Sequence, residues 1–485
     1  GRIGPQPDVR AAVDFGPSTL MGERLSGVLK GRLQGSRLSD ADIALDWAGN
    51  SLSAHGAFGG TAADALDWAV DAQHPGALRA LTGLALSGRI SGSGRLAGTL
   101  ATPHGTLQLS LRALSLGERG SIARADLEAG LAPGKDGQLH LSLDAADLRS
   151  PALPAPVERT RIAIDGTRAA HGLSLDVRMA EQRAEQRTEQ RADRGDKVER
   201  QSLRVAAHGA LGDGPSWSGV LDSLTLVLSP ELTATLSRSA RLSASATSVA
   251  LDDALFALTG GGELLLAHTA WTPERLEATG RARGFPLRMV WRDRAAGVAV
   301  RAPLRLGADW SLTAALSGGE TVEGRLAVFR EAGTVTVSGE GRMELAITDA
   351  RAQAVFAGRS ADVRGVLSGP DIGEARARVA VPLRRDGSLW SADMDAPTSG
   401  EATLDVPSLA WIGRALRLDM STAGRVRADV KLAGRLGAPD LSGRIDGDDL
   451  AFALADAGLR LERGQLRAQF VGDRLKLEDL SFDSG

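Results

Sequence analysis

The 485-residue sequence has no cysteine and no tyrosine, and only five of its 57 basic residues are lysine. Without cysteine there is no disulfide framework, no thiolate zinc site and no thiol nucleophile. The absence leaves the compartment open. Fifty-seven basic residues against 60 acidic ones give a net charge of -3, and no basic block exists. The electrostatic footprint of a nucleic-acid binder is therefore missing. No run reaches 18 apolar residues, so no segment reads as a membrane-spanning helix. Aromatics are 4% of the chain, while glycine is abundant at 59 residues. An apolar fraction of 43% is enough to fold. The start Gly1-Arg2-Ile3 carries neither Met nor a signal sequence, which suggests the interior of a longer protein.

What is present is a period of two. Val426, Ala428, Val430 and Leu432 alternate with Arg427, Asp429 and Lys431. Leu107, Leu109 and Leu111 repeat the pattern, as do Leu139, Leu141 and Leu143, and Leu173, Leu175 and Val177. Each stretch predicts a strand with one apolar and one polar face. Gly, Pro and Asp punctuate the chain about every 8–12 residues, as in Gly134-Lys135-Asp136-Gly137 and Gly369-Pro370-Asp371. Helical signals are confined to Pro75–Leu81 and Pro407–Leu416. The expected fold is mainly β: an elongated, curled sheet that forms an open apolar groove, with few short helices. About 11 residues per strand and turn predict roughly 40 strands, or on the order of 190 Å of sheet at ~4.8 Å per strand.

Residues 88–103 (GRISGSGRLAGTLATP) recur as 424–439 (GRVRADVKLAGRLGAP), with Gly88, Arg89, Leu96, Ala97, Gly98, Leu100 and Pro103 repeated. The spacing is too long for a tandem solenoid, so the pair reads as a module of a strand array. Residues 181–192 repeat EQRA, EQRT, EQRA. Their i,i+4 pairs are like with like, Glu181/Glu185 and Arg183/Arg187, which disfavours a helix. The expected organisation is a β-groove segment over 1–180, a flexible polyampholyte insertion over 181–200, and a second β-groove segment over 201–485. Deleting Glu181 to Arg194 is expected to leave stability nearly unchanged, because length changes in a flexible loop cost little.

Chemistry finds little purchase. The seven histidines are at least 19 residues apart, with no zinc-ligand spacing. There is no nucleophile elbow and no P-loop, since Gly134-Lys135 is followed by Asp136. The acidic pairs Asp252-Asp253 and Asp448-Asp449 would point to opposite faces of a strand and could not converge on one substrate. The expectation is no enzyme, no catalytic, cofactor or metal residues, and no cofactor. The eight tryptophans are scattered and read as packing. The candidate functional residues are apolar ones on the inner face of the repeated module: Ile90, Leu96 and Leu100, and Val426, Val430, Leu432 and Leu436.

Three ordered stretches resemble the TamB family of translocation and assembly module subunits, within the AsmA-like superfamily. They are Leu78 to Pro103, Ala308 to Gly333, and Leu409 to Leu450. The resemblance is to the family's central and C-terminal parts, from about residue 20 to the end. It implies a periplasmic protein of a Gram-negative bacterium, tethered in the inner membrane by segments absent from this chain. It also implies an outer-membrane barrel partner, TamA, and roles in outer-membrane protein assembly, protein secretion and phospholipid movement. No nucleic acid is implied. The residues fit this reading independently, because a smooth Leu/Val/Ala face suits phospholipid acyl chains without directional bonds. Two other readings stand beside it. One is a closed β-solenoid structural or passenger protein, adhesin-like; the other is a carbohydrate-active solenoid enzyme.

Overall fold

In a computed structural model the chain is described over residues 8–79, 83–134, 136–151, 153, 155–180, 201–212, 216–229, 232–293, 298–319, 321–338, 342–386, 389–416, 420–454, 458–472 and 474–484. The expected insertion at 181–200 lies outside these residues. The chain divides into two compact units, 1–246 and 247–485. Each is an antiparallel meander of long strands, and the described strands number 31. In the first unit each strand from Asp8–Leu20 to Ser216–Ser229 pairs with its sequence neighbour. In the second, short hairpin strands such as Val335–Ser338 with Arg342–Leu345 branch aside, and the main ladder closes over the gap.

The described strands are fewer than the roughly 40 expected, because many glycines that read as turns lie inside strands. Gly92 and Gly94 sit within Ser87–Gly98, and Gly280 within the 19-residue strand Arg275–Asp293. Gly94 stands directly opposite Trp68. A Cβ there would come within 3.1 Å of the indole, so the missing side chain lets the ring lie down on the sheet. The two proline-led helix signals give the 3-10 turn Pro75–Leu78 and the α-helix Ala410–Leu416.

Burial is sparse. Among the described residues 28 apolar side chains are buried, and 14 of them are alanine. A closed core would be dominated by large aliphatics. These units instead hold most of their large apolar side chains half-buried, as a single sheet curled on itself must.

The repeated module folds the same way twice. Gly98 faces Pro103 at one hairpin end and Gly434 faces Pro439 at the other. Ten or so residues back along each hairpin the ladder slips by one, between Ser87 and Arg89 and between Ala423 and Arg425. On the opposite strands Ala113 and Asp449 are at φ 47° and 54°, facing Gly88 and Gly424 at φ 108° and 111°. These are β-bulges, which bend a strand and raise its twist. The next residues, Leu114 and Leu450, are turned inward and buried. A similar geometry places Asp40 and Asp253 at positive φ, each followed by a buried alanine, Ala41 and Ala254. The bulges thus crease the sheet along its inner side.

One turn is fixed electrostatically. The Asp64 carboxylate accepts bonds from the Gly60 and Thr61 amides at 2.9 and 3.0 Å, from Thr61 Oγ1 at 2.8 Å, and from the Arg37 guanidinium at 2.8 and 3.0 Å. The Thr61 hydroxyl foremost, with the amides and Arg37, pulls its pKa from 3.8 down to about 2. A carboxyl whose folded pKa is depressed stabilises fully above its unfolded pKa and loses that contribution as pH falls through the folded one. The stability gap between the parent chain and Asp64→Asn is therefore expected to be widest above pH ~4 and to shrink towards pH ~2. Urea unfolding at pH 5, 3 and 2 measures it, and a gap independent of pH would contradict this role for Asp64.

Candidate functional site: an apolar trough

Cross-strand partners in a sheet share a face, so the registers define rows of side chains running across the strands. In the first unit one row runs through Val13, Leu29, Ile43, Ala54, Trp68, Gly94, Leu107, Ala129, Leu141, Ile164, Leu173, Ala207 and Leu221. In the second a row runs through Phe256, Leu264, Ala282, Ala308, Val328, Ala352, Gly365, Ala377, Ala402, Val430, Gly443, Phe470 and Leu475. Each row crosses thirteen strands without one polar residue.

The neighbouring rows, pointing the other way, mix charged and polar residues with small apolar ones. Lys431, Glu401, Arg378 and Arg364 follow one another across four strands. Ion pairs knit this outer side. Asp144 receives Arg159 at 2.5 Å and Arg124 and Arg161 at 3.2 Å. Asp362 binds Arg378 at 2.5 Å and Arg364 at 2.9 Å. Hydrogen bonding to Arg159 and to Arg378 respectively is the main reason both carboxyls titrate below their ordinary value. Four of the seven histidines pair across strands with an aspartate, at 3.2 Å for His55–Asp42, 2.6 Å for His140–Asp165, 2.8 Å for His208–Asp222 and 2.6 Å for His268–Asp252.

The apolar side is concave. In the second unit a cavity of about 720 Å³ takes at least one lining residue from each of nine successive ladder strands, from Leu306 to Phe470. Eight intervals of ~4.8 Å make it a trough on the order of 40 Å long. In the first unit a second cavity, of about 490 Å³, is lined by Trp68, Leu96, Leu107, Ala129, Leu131, Leu139 and Leu141, among others. No group of three or more metal-ligating side chains occurs among the described residues.

Five of the seven candidate residues stand on these faces. Leu96 lines the first trough, and Ile90 shares its face, between Ala72 and Leu111. Val430 lines the second, flanked by Ala402 and Gly443. Val426 lies between Val406 and Gly447, and Leu432 between Gly400 and Leu441. Leu100 and Leu436 do not join them. Both fall in turns beyond the strand ends, and Leu100 is 58% exposed. Counting by twos from Leu96 runs through Gly98 to Leu100, but Gly98 is at φ 87° and Gly434 at φ 83°, where the chain reverses. The acidic pairs also differ from expectation. Asp253 and Asp449 sit in left-handed backbone, so Asp252-Asp253 and Asp448-Asp449 mark creases and not ordinary strand alternation. The creases and the cross-strand rows are what the sequence reading missed. A Gly with an Asp or Ala 25 residues on, as in 88/113 and 424/449, is the one signal that points to them.

Residues 23–198 match the family model for the N-terminal domain of TamB. Over these residues the match supports the resemblance to the TamB family. No curated protein and no solved structure matches the chain. The resemblance read from the sequence points to the central and C-terminal parts of TamB, whereas the match is to the N-terminal domain. The recurrence of one hairpin at 88–113 and 424–449 explains the difference, since short motifs of a repeating array do not fix a position along it. Of the three resembling stretches, residues 78–103 lie inside the match and residues 308–333 and 409–450 beyond it.

Proposed function

We propose that the chain is a non-enzymatic carrier whose apolar troughs hold phospholipid acyl chains in transit between the inner and outer membranes of a Gram-negative envelope. In this reading it supports outer-membrane protein assembly and secretion together with the barrel protein TamA. The TamB-family match over 23–198 supports the setting. The observation that carries the reading is the unbroken apolar row through each unit, open along its length. Burying a 16-carbon tail at about 0.8 kcal/mol per methylene is worth on the order of 10 kcal/mol. That is enough to hold a lipid outside a bilayer without any directional bond. The antiparallel meander with its half-buried inner side speaks against a closed solenoid, which would fill that side with stacked side chains.

A photo-crosslinking amino acid placed at Val430 or Leu96 should yield phospholipid adducts by mass spectrometry of the purified chain. The same group at Asp429 or Asp67, on the outer rows, should yield few. Equal adduct yields from the two sides, or none from either, would remove the basis of the reading.

A further inference from the structure

The strand Arg275–Asp293 has two halves in different situations. Residues 276–283 are flanked by Glu263–Trp271 on one side and Val298–Ala315 on the other. The first ladder ends at the pair Glu263/Arg283, whereas the second continues from Phe285/Leu306 to Asp293/Val298. Among the described residues no strand replaces the first ladder beyond Arg283. The break is capped, with the Gly284 amide donating to Glu331 Oε2 at 2.6 Å and the Gly284 carbonyl accepting from Arg305 at 3.2 Å. Pro286, just past it, suits an edge, where a missing N–H costs no ladder bond.

Beyond Pro286 the edge still presents large apolar side chains to solvent. Met289, Val290 and Trp291 are 57, 59 and 58% exposed. Met289 and Trp291 stand opposite Ala302 and Val300, and Val300 packs against the buried pair Val337 and Leu345. The apolar cluster thus runs on uncovered to the edge. On the other face Arg288, Arg292 and Arg301 are exposed and carry no ion pair among the described residues.

We propose that the edge Phe285–Asp293 is a docking site for an extended segment of a partner polypeptide, bound as an added strand, in which apolar residues alternate with Asp or Glu. Alternation sends one set of side chains over Met289 and Trp291 and the other towards the three arginines. A lipid surface fits less well, because unpaired backbone groups are not satisfied in hydrocarbon. The site is separate from the troughs and stands or falls without them.

The test uses the 485-residue chain and two labelled, end-blocked nonapeptides, one alternating Val with Glu and one Val with Lys. Fluorescence anisotropy should show at least a tenfold preference for the Val/Glu peptide. Arg288→Glu with Arg292→Glu should reverse the preference, and Met289→Ser with Trp291→Ser should weaken both peptides at least tenfold. In the unmutated chain, hydrogen exchange of amides 285–293 should slow severalfold on adding the Val/Glu peptide, a readout that no folding defect can confuse. Four results overturn the proposal. They are no binding or no protection in the parent chain, an unchanged preference after charge reversal, binding to phosphatidylglycerol vesicles that the serine variant loses while peptide binding persists, and a concentration-dependent dimer that charge reversal dissolves but the peptide does not compete.

Discussion

Val430→Asp is expected to leave the protein folded and to abolish lipid capture at its position. Val430 is half-buried in the trough wall, and its row neighbours are the small residues Ala402 and Gly443. An aspartate there has open space above it, so its carboxylate keeps water. The loss is then limited to partial burial of one valine and its strand preference, about 1–2 kcal/mol together. For a unit of this size that lowers Tm by only a few degrees. An acyl chain in the trough, by contrast, would have to strip that carboxylate of water without offering a partner. Crosslinking from the neighbouring wall position Ala428, which lines the same trough, should fall at least tenfold. Were the face a sealed core, the same change would bury an unpaired charge and cost several kcal/mol, unfolding the unit. Thermal melting and adduct mass spectrometry on one variant therefore separate the two cases. A folded variant with undiminished adducts would show that lipid does not use this wall.

The alternation of Val426, Ala428, Val430 and Leu432 with charged residues was enough to place all four on one face, because the period of a strand is a local property. The helix starts were equally local, announced by Pro75 and Pro407. Continuity of the apolar row was not legible. It depends on register, which hairpin turns and bulges set strand by strand, and a slip of one residue would have turned every side chain over. Leu100 and Leu436 failed for a related reason. Nothing in the alternation itself says that Gly98 and Gly434 lie at a hairpin end while Gly92 and Gly94 do not. The difference lies across the sheet, where Pro103 and Pro439 close hairpins and Trp68 lies over Gly94. The exposed edge at 285–293 was hidden too, since whether a strand has a neighbour on each side is decided by the length of the strand beside it.

Gly424→Ala is expected to cost about 2–4 kcal/mol, a drop in Tm on the order of 5–15 °C. Gly365→Ala, on the same apolar row as Val430, should cost under about 0.5 kcal/mol. Both substitutions add one methyl group, so bulk and hydrophobicity do not distinguish them. Backbone and surroundings do. Gly424 is at φ 111°, a conformation closed to residues with a Cβ, and its new methyl carbon would stand 2.7 Å from Leu450 Cα and 2.8 Å from the Asp449 carbonyl oxygen. These are backbone atoms of the bulge itself, so relief requires the crease to open. Gly365 has ordinary strand backbone, and its methyl would find only the Arg351 carbonyl oxygen at 3.8 Å. The other copy of the hairpin has the same geometry. Gly88 is at φ 108°, and a methyl there would stand 2.7 Å from the Ala113 carbonyl carbon and the Arg112 carbonyl oxygen. Gly88→Ala should therefore match Gly424→Ala to within about 1 kcal/mol, although 336 residues separate them in sequence. Denaturant unfolding of the three single variants provides the comparison. If Gly424→Ala and Gly88→Ala were tolerated as well as Gly365→Ala, the bulges would be incidental and something else would have to curl the sheet. If they destabilise together, the crease is what gives the apolar face its concavity, and the troughs exist because two glycines in each copy of one hairpin, one at the bulge and one at the turn, leave room for the chain to bend.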